Sequence, residues 1–296
     1  MAQGRVAGGE AGSGVGGSRP SRLFRTPLPL EHHEIRHPDV PAGLDGLTVL
    51  HIADLHIRHR SIRAAQRTEA LFRLLERLEE PPDLVAITGD MMSYRGDEPA
   101  ALRVLERLTR LVRGRLGCFG VFGNHDSHPF RAAASAMGGI RWMDPHGVAV
   151  VAPGFEVVGC SWPEDWLAAA LAWEPVGGAG ARPFRIALCH TPATLPAMAS
   201  LGLPVALAGH THGGQARFAL PWNWAVHWAP HNSSDVPRRW SSGLLRMGDT
   251  LCAVSRGIGT QFLDVRWSCP WQVPLYTVRK GPLVGGGEAI QCVARW

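Results

Sequence analysis

Apolar runs of strand length alternate with stretches of helical periodicity from Leu47 onward. Leu47-Thr48-Val49-Leu50-His51-Ile52-Ala53 is nearly continuous in apolar side chains, which predicts a buried strand ending at Asp54. Over residues 62–79, Leu71, Leu74, Leu75 and Leu78 recur at the three-and-four spacing of one helix face. Leu84-Val85-Ala86-Ile87 reads as a second buried strand, ending at Gly89-Asp90. Leu102, Leu105, Leu108 and Leu111 repeat the helical spacing over residues 98–113, and Cys118-Phe119-Gly120-Val121-Phe122 reads as a third strand, ending at Gly123-Asn124. Strand, helix, strand, helix, strand at these distances predicts parallel βαβ units, whose ligands bind beyond the carboxyl ends of the strands.

The middle of the chain is less regular. Val148–Val151 and Phe155–Gly159 read as an antiparallel pair around Pro153-Gly154, followed by a short helix near residues 163–173. Phe184–Cys189 is a strand ending at His190, and Val205–Ala208 another ending at Gly209-His210. Short strands and turns are expected over 216–278. Residues 1 to about 20 are rich in Gly, Ser and Ala and are expected to be disordered. Pro27, Pro29, Pro38 and Pro41 make residues 21–46 look extended and irregular. The expected division is a tail and lead-in over 1–46, one domain over 47–280, and a C-terminal tail over 281–296.

Each strand end carries a polar cluster. In order these are Asp54-Leu55-His56, Gly89-Asp90, Gly123-Asn124-His125-Asp126, His190 and Gly209-His210-Thr211-His212. A carboxylate offers two oxygens and can bridge two cations, and Asp90, after a glycine turn, is placed for that role. Asp54 and His56 are two residues apart, a spacing that sends both side chains to one side of an extended segment. His210 and His212 repeat it, Asn124 adds a neutral carbonyl oxygen, and His190 completes the set. The metal candidates are therefore Asp54, His56, Asp90, Asn124, His190, His210 and His212, with His125 left over. Oxygen and imidazole donors suit divalent Mn, Fe, Zn or Mg and not a soft thiolate site. Two such ions about 3.5–4 Å apart clamp the attacking and leaving oxygens of an in-line displacement and make hydroxide available near neutral pH.

Asp-x-His, Gly-Asp, Gly-Asn-His-Asp, His and Gly-His-Thr-His in this order resemble the calcineurin-like metallophosphoesterase superfamily over about residues 47–278. A finer likeness, to the YkuE/YaeI-type branch, rests on Pro41-Ala42-Gly43-Leu44-Asp45-Gly46-Leu47, on Gly209–Gln215, on Val254–Gly259 and on Cys269-Pro270. The resemblance implies an α/β protein folded as a two-sheet αββα sandwich. It implies that Asp54, His56, Asp90 and His212 hold one metal, and that Asp90, Asn124, His190 and His210 hold the second. His125 would face the substrate, stabilising charge at the phosphoryl group or protonating the leaving oxygen, with Asp126 orienting it through its ring nitrogen. The implied function is a dinuclear metal-dependent phosphohydrolase, a phosphodiesterase or pyrophosphatase in which a metal-bridging hydroxide attacks phosphorus in line. Its implied substrate is a phosphorylated small molecule or a glycolipid, with peripheral membrane contact.

Charge and composition adjust this picture. The formal net charge is +5, with a pI near 9.2, and the basic residues are nearly all Arg, spread along the chain. Such a balance favours an anionic, phosphorylated substrate, but no Lys/Arg stripe with interleaved aromatics points to nucleic acid. A nuclease is the alternative enzyme, and a non-catalytic metal-binding scaffold the alternative outside enzymes. Six cysteines without a CxxC pair fit buried free thiols in a reducing compartment. No run approaches the ~20 apolar residues of a membrane span, and the N-terminal residues lack the apolar core of a signal peptide. The expected location is cytoplasmic, peripheral to a membrane at most.

Several residues stay open between two readings. Arg256 could contact a phosphate through its planar fork or form a structural ion pair. Trp222, Trp224, Val226 and Trp228 fall on one side of an alternating segment, as buried core or as an aromatic wall that contacts substrate beside the metals. His51, His59, His128 and His146 read as surface or supporting residues, and His32-His33 as a flexible-tail pair.

Overall fold

The computed structural model describes residues 28–172, 182–219, 225–227, 236–285 and 290–296. In chain order its elements are β1 (Leu30–His37), β2 (Leu47–Ile52), α1 (Ile62–Leu75), β3 (Leu84–Thr88), α2 (Glu98–Leu111), β4 (Gly117–Val121), α3 (His128–Ala136), β5 (Arg141–Trp142), β6 (His146–Ala152), β7 (Phe155–Cys160), α4 (Trp166–Ala172), β8 (Phe184–Cys189), α5 (Leu195–Ser200), β9 (Val205–Ala208), β10 (Arg217–Ala219), β11 (Ala225–His227), β12 (Gly243–Met247), β13 (Thr250–Val254), β14 (Val273–Lys280) and β15 (Gln291–Ala294). One sheet has the order β1-β14-β2-β3-β4-β5 and the other β15-β12-β13-β9-β8-β7-β6, with β10 and β11 a separate ribbon.

Period-two alternation along the strands builds the layers. Leu50, Val85 and Ile87 face a helix layer made by Leu71, Phe72, Leu105, Leu108 and Phe130 of α1, α2 and α3. Their neighbours Val49, Leu84 and Phe119 face the other way, against Val157, Ile186, Leu188 and Leu207 of the second sheet. The far side of that sheet, with Val158, Ala187, Cys189 and Ala206, packs on Trp166 and Ala169 of α4 and on Leu195 and Met198 of α5. The result is helix, sheet, sheet, helix: the two-sheet αββα sandwich. Strands covered on both faces are continuous apolar runs for that reason.

Where proline spacing suggested irregular backbone, residues 30–37 form a strand. β1 pairs parallel with β14 from Leu30↔Val273 to His37↔Lys280. Pro29 and Pro38 bracket this edge strand without interrupting it, and Ile35 and His37 supply its buried contacts. The His33 ring stacks on Trp296, with centroids 4.3 Å apart. Within the C-terminal segment, β15 pairs antiparallel with β12. His51 lies inside the sandwich and bonds Thr88 Oγ1 at 2.8 Å. Among the described residues no helix is long and apolar enough to cross a membrane.

Candidate metal centre

β2, β3 and β4 run parallel, as do β7, β8, β9 and β13. Their carboxyl ends deliver Asp54, His56, Asp90 and Asn124 from the first sheet, and His190, His210 and His212 from the second. Five of these donors sit on left-handed backbone. Asp54, His56, Asp90, His210 and His212 have φ of 51°, 45°, 54°, 69° and 51°. Asp54 and His56 therefore do not converge through extended alternation, as their spacing suggested; each turns back into the cleft. Non-glycine residues avoid this region at a cost on the order of 1 kcal/mol or more each. Bonds between the loops offset the strain: Asp54 N–H donates to Gly89 O at 3.1 Å, His56 N–H to Asp90 O at 3.0 Å, and Gly209 N–H to His190 O at 3.0 Å.

The side chains form two groups that share Asp90. Donor atoms of Asp54, His56, Asp90 and His212 lie within 4.8 Å of one another, and so do those of Asp90, His190 and His210. Asn124 joins the second group, its Oδ1 3.0 Å from His190 Nε2. Asp90 Oδ2 lies 3.3 Å from His56 Nε2 and 3.4 Å from His190 Nε2, buried and without a hydrogen-bond partner. His190 Nδ1 bonds the Thr88 carbonyl at 2.8 Å, so that nitrogen carries the donated proton. In the neutral ring the Nε2 lone pair then faces Asp90 Oδ2, Asn124 Oδ1 and His210 Nδ1, the last 3.0 Å away. An acceptor-rich cluster with an orphaned buried carboxylate oxygen fits divalent cations.

The electrostatics agree. Burial pushes Asp54 up to about 7 and holds His56 and His210 down at about 4. Burial would also raise Asp90, but the charge of His190 outweighs it and keeps Asp90 well below the usual carboxylate range. For His190, burial lowers the pKa, yet the Asp90 carboxylate prevails and raises it to about 10. Asp90 thus stabilises positive charge beside it, while burial keeps His56 and His210 neutral.

Asp126 does not touch the His125 ring. Its Oδ2 accepts the N–H groups of Asp90 (2.9 Å) and Gly123 (2.8 Å), and its Oδ1 that of Met91 (2.8 Å). The carboxylate folds back under its own loop, where those buried N–H groups have no other acceptor, and burial raises its pKa to about 6. The Ser93 carbonyl orients His125 instead, 3.0 Å from Nδ1, while Gln261 Nε2 lies 3.3 Å from His125 Nε2. The His125 N–H donates to Asp90 Oδ1 at 2.9 Å.

Arg256 forms the structural ion pair. Its buried guanidinium reaches Glu31 at 2.6 Å and the Pro270 carbonyl at 3.0 Å. Trp222, Trp224 and Trp228 lie outside the described residues. The arginine at the centre is Arg266, which donates to the carbonyls of Arg256 (2.7 Å), Gly259 (2.7 Å) and His212 (3.3 Å) and so ties the donor loops together. No motif marks Arg266, because it acts on backbone carbonyls. Cys269 adds a thiol against the His212 carbonyl at 3.3 Å. A groove of about 830 Å³ opens beside Asn124 and His125, walled by Ser93, Tyr94, Ser127 and Trp162.

A two-sheet αββα sandwich with an Asp/His cleft at its strand ends defines a metallophosphoesterase. The family model for calcineurin-like phosphoesterases matches residues 47–214, and the chain belongs to that family of metal-dependent phosphoester hydrolases. Over 279 residues the chain is 24% identical to the uncharacterized metallophosphoesterase YkuE of Bacillus subtilis (strain 168), covering 91% of each chain. Over 235 residues it is 25% identical to the phosphodiesterase YaeI of Escherichia coli (strain K12), covering 77% of this chain and 80% of that one.

Proposed function

We propose that this protein hydrolyses phosphodiester or pyrophosphate bonds in small phosphorylated or glycolipid-type substrates, using two divalent cations. The observation that carries the reading is Asp90, whose unpartnered Oδ2 lies between the two donor groups. Asp54, His56, Asp90 and His212 would hold one cation, and Asp90, Asn124, His190 and His210 the other. When bound, the pair would supply Lewis acidity to the phosphoryl oxygens and acidify water for in-line attack.

The chain's own groups supply the rest. With its Nδ1 proton directed at the Ser93 carbonyl, His125 presents Nε2 to the cleft and, when protonated, donates from that atom to the leaving oxygen. Gln261 limits the tilt of the ring by approaching the same nitrogen. The groove past Tyr94 and Trp162, about 830 Å³, opens beside Asn124 and His125 and has room for a large substituent on a phosphorus held at the centre, which supports the diester or pyrophosphate reading. The name of the relative YaeI, a phosphodiesterase, points the same way. A glycolipid substrate would bring the protein to a membrane surface without a spanning helix.

Manganese is the ion to test first, because the donors are carboxylate, amide and imidazole with no thiolate among them. Chelator-treated protein is assayed on bis-p-nitrophenyl phosphate with and without Mn(II). Turnover is expected only with the metal. Asp90→Asn, which removes the oxygen shared by both groups, should lower turnover by roughly 10³-fold or more. Absence of metal-dependent turnover, or full activity in Asp90→Asn, overturns the proposal.

A further inference from the structure

The segment joining β7 to α4, Ser161-Trp162-Pro163-Glu164, contributes no donor, yet it touches both histidines of the second group. Ser161 anchors it: its Oγ donates to Met143 O at 2.8 Å and accepts from the Phe122 N–H at 2.9 Å. The Trp162 N–H donates to Phe122 O at 2.9 Å, and its carbonyl accepts from Arg131 at 2.7 Å. The Trp162 ring lies nearly parallel to the His210 imidazole, 14° apart with centroids separated by 6.2 Å. Glu164 Oε1 accepts the backbone N–H groups of His190 at 2.5 Å and Thr191 at 2.9 Å.

Those two N–H groups follow the last residue of β8, Cys189, where the sheet ladder no longer supplies acceptors. A carboxylate taken out of water is costly, and Glu164 Oε2 is buried with no partner at all. What the carboxylate does gain is a grip on the backbone of His190, whose ring is held at Nδ1 by Thr88. One element thus fixes the main chain of His190 and flanks the ring of His210. Among the described residues no hydrogen bond or ring contact joins it to Asp54, His56 or His212.

We propose that Glu164 and Trp162 are positioning residues that set His190 and His210 for the second cation and thereby govern its affinity, without contacting it. The inference rests on the two-metal reading above. Outer partners of metal ligands typically govern affinity by roughly 10–100-fold.

Chelator-treated full-length protein is titrated with Mn(II) by calorimetry and followed by electron paramagnetic resonance. Wild-type protein should bind two ions and show the spectrum of an exchange-coupled pair. In Glu164→Ala, affinity at one site should fall roughly 10–100-fold while the other is unchanged, leaving the spectrum of an isolated Mn(II). Glu164→Gln keeps a side-chain oxygen for the two N–H groups and should restore pair formation. Trp162→Leu should weaken the same single site, and it decides the matter if Glu164→Ala does not fold. Unchanged binding of both ions in either folded variant, equal weakening of both sites, or no rescue by Gln overturns the inference. Fewer than two ions bound by wild-type protein instead refutes the two-metal reading, a distinct result.

Discussion

Gly89 offers a sharp test of how closely the donor loops pack. Its φ is +88°, and a Cβ built there would overlap Gly123 N, lie 2.8 Å from Gly123 Cα and 2.9 Å from His190 Nδ1. Gly89→Ala therefore carries two costs. The left-handed backbone costs about 1–2 kcal/mol for an L-residue, and forcing a methyl into packed backbone costs about 1–3 kcal/mol more. Gly154, in the turn between β6 and β7, separates the two. Its φ is +74° but nothing lies within 4 Å of its Cβ position, so Gly154→Ala carries the backbone cost alone. Urea denaturation of the chelator-treated variants should show Gly89→Ala less stable than Gly154→Ala by about 1–3 kcal/mol. Gly154→Ala should keep wild-type Mn(II) binding and turnover, whereas Gly89→Ala should lose both, because relief of the overlap moves Asp90 or His190. Equal stability losses in the two variants, or wild-type Mn(II) binding by Gly89→Ala, would refute the close approach on which this geometry depends.

Three further outcomes follow from the centre. Asp126→Ala strips the acceptor from three short buried N–H bonds; at about 1–1.5 kcal/mol net apiece, urea denaturation should record a loss of roughly 3–4.5 kcal/mol. If Asp126 oriented the His125 ring, stability would hardly change and the pH profile of turnover would shift instead. His125→Ala should retain two Mn(II) ions and lose roughly 10²–10⁴-fold in turnover, and retention of activity within tenfold would remove the residue from the chemistry. His190, raised to about 10 by Asp90 against the lowering effect of burial, carries a proton at neutral pH that a metal must displace. Calorimetry in buffers of different ionisation enthalpy should show release of about one proton or more per chain. A raised folded-state pKa means that this contribution is fully present below the ordinary histidine value of 6.5 and is lost as pH rises through about 10, so chelator-treated protein should weaken between pH 6.5 and 10.

Legibility in the sequence followed the kind of contact a residue makes. Leu84–Ile87 announced itself as a strand because both of its faces are covered, and Leu105 and Leu108 announced α2 because one face is. The seven donors stood out because cation binding admits few residue types, and all seven converge in one cleft. Groups that act on backbone atoms were less legible: the Gly-Asn-His-Asp motif marked Asp126 but not its partners, and nothing marked Arg266 or Glu164. Asp126 serves N–H groups, Arg266 serves carbonyls, and Glu164 serves the start of the His190 loop; none needs a recognisable neighbour in sequence. β1 escaped notice because an edge strand carrying His32, Glu34 and Arg36 outward, with Glu31 on its inner face, lacks a full apolar alternation. The left-handed turns at Asp54 and His56 were hidden for another reason: neither residue is glycine, so only the tertiary bonds around them reveal the conformation.

The division of donors between the sheets has an energetic meaning. Both carboxylates, His56 and Asn124 hang from the first sheet, while His190, His210 and His212 hang from the second. Each group draws on both sheets, so a cation in either would cross-link the layers. The apolar layer between them, with Val49, Phe119, Val157, Ile186 and Leu207, sets their spacing without any help from the donors. Packing thus sets the frame of the cleft, and hydrogen bonds at the loops, from the His210 N–H to Asp54 and from the His125 N–H to Asp90, hold the two carboxyl groups together. Binding that favours only the folded arrangement adds RT ln(1 + [L]/Kd), about 2.7 kcal/mol at a hundredfold excess over Kd. That gain is comparable to the strain of two or three left-handed donor residues. The core therefore supplies the frame, and the cations would offset much of the local strain that aims the ligands at them.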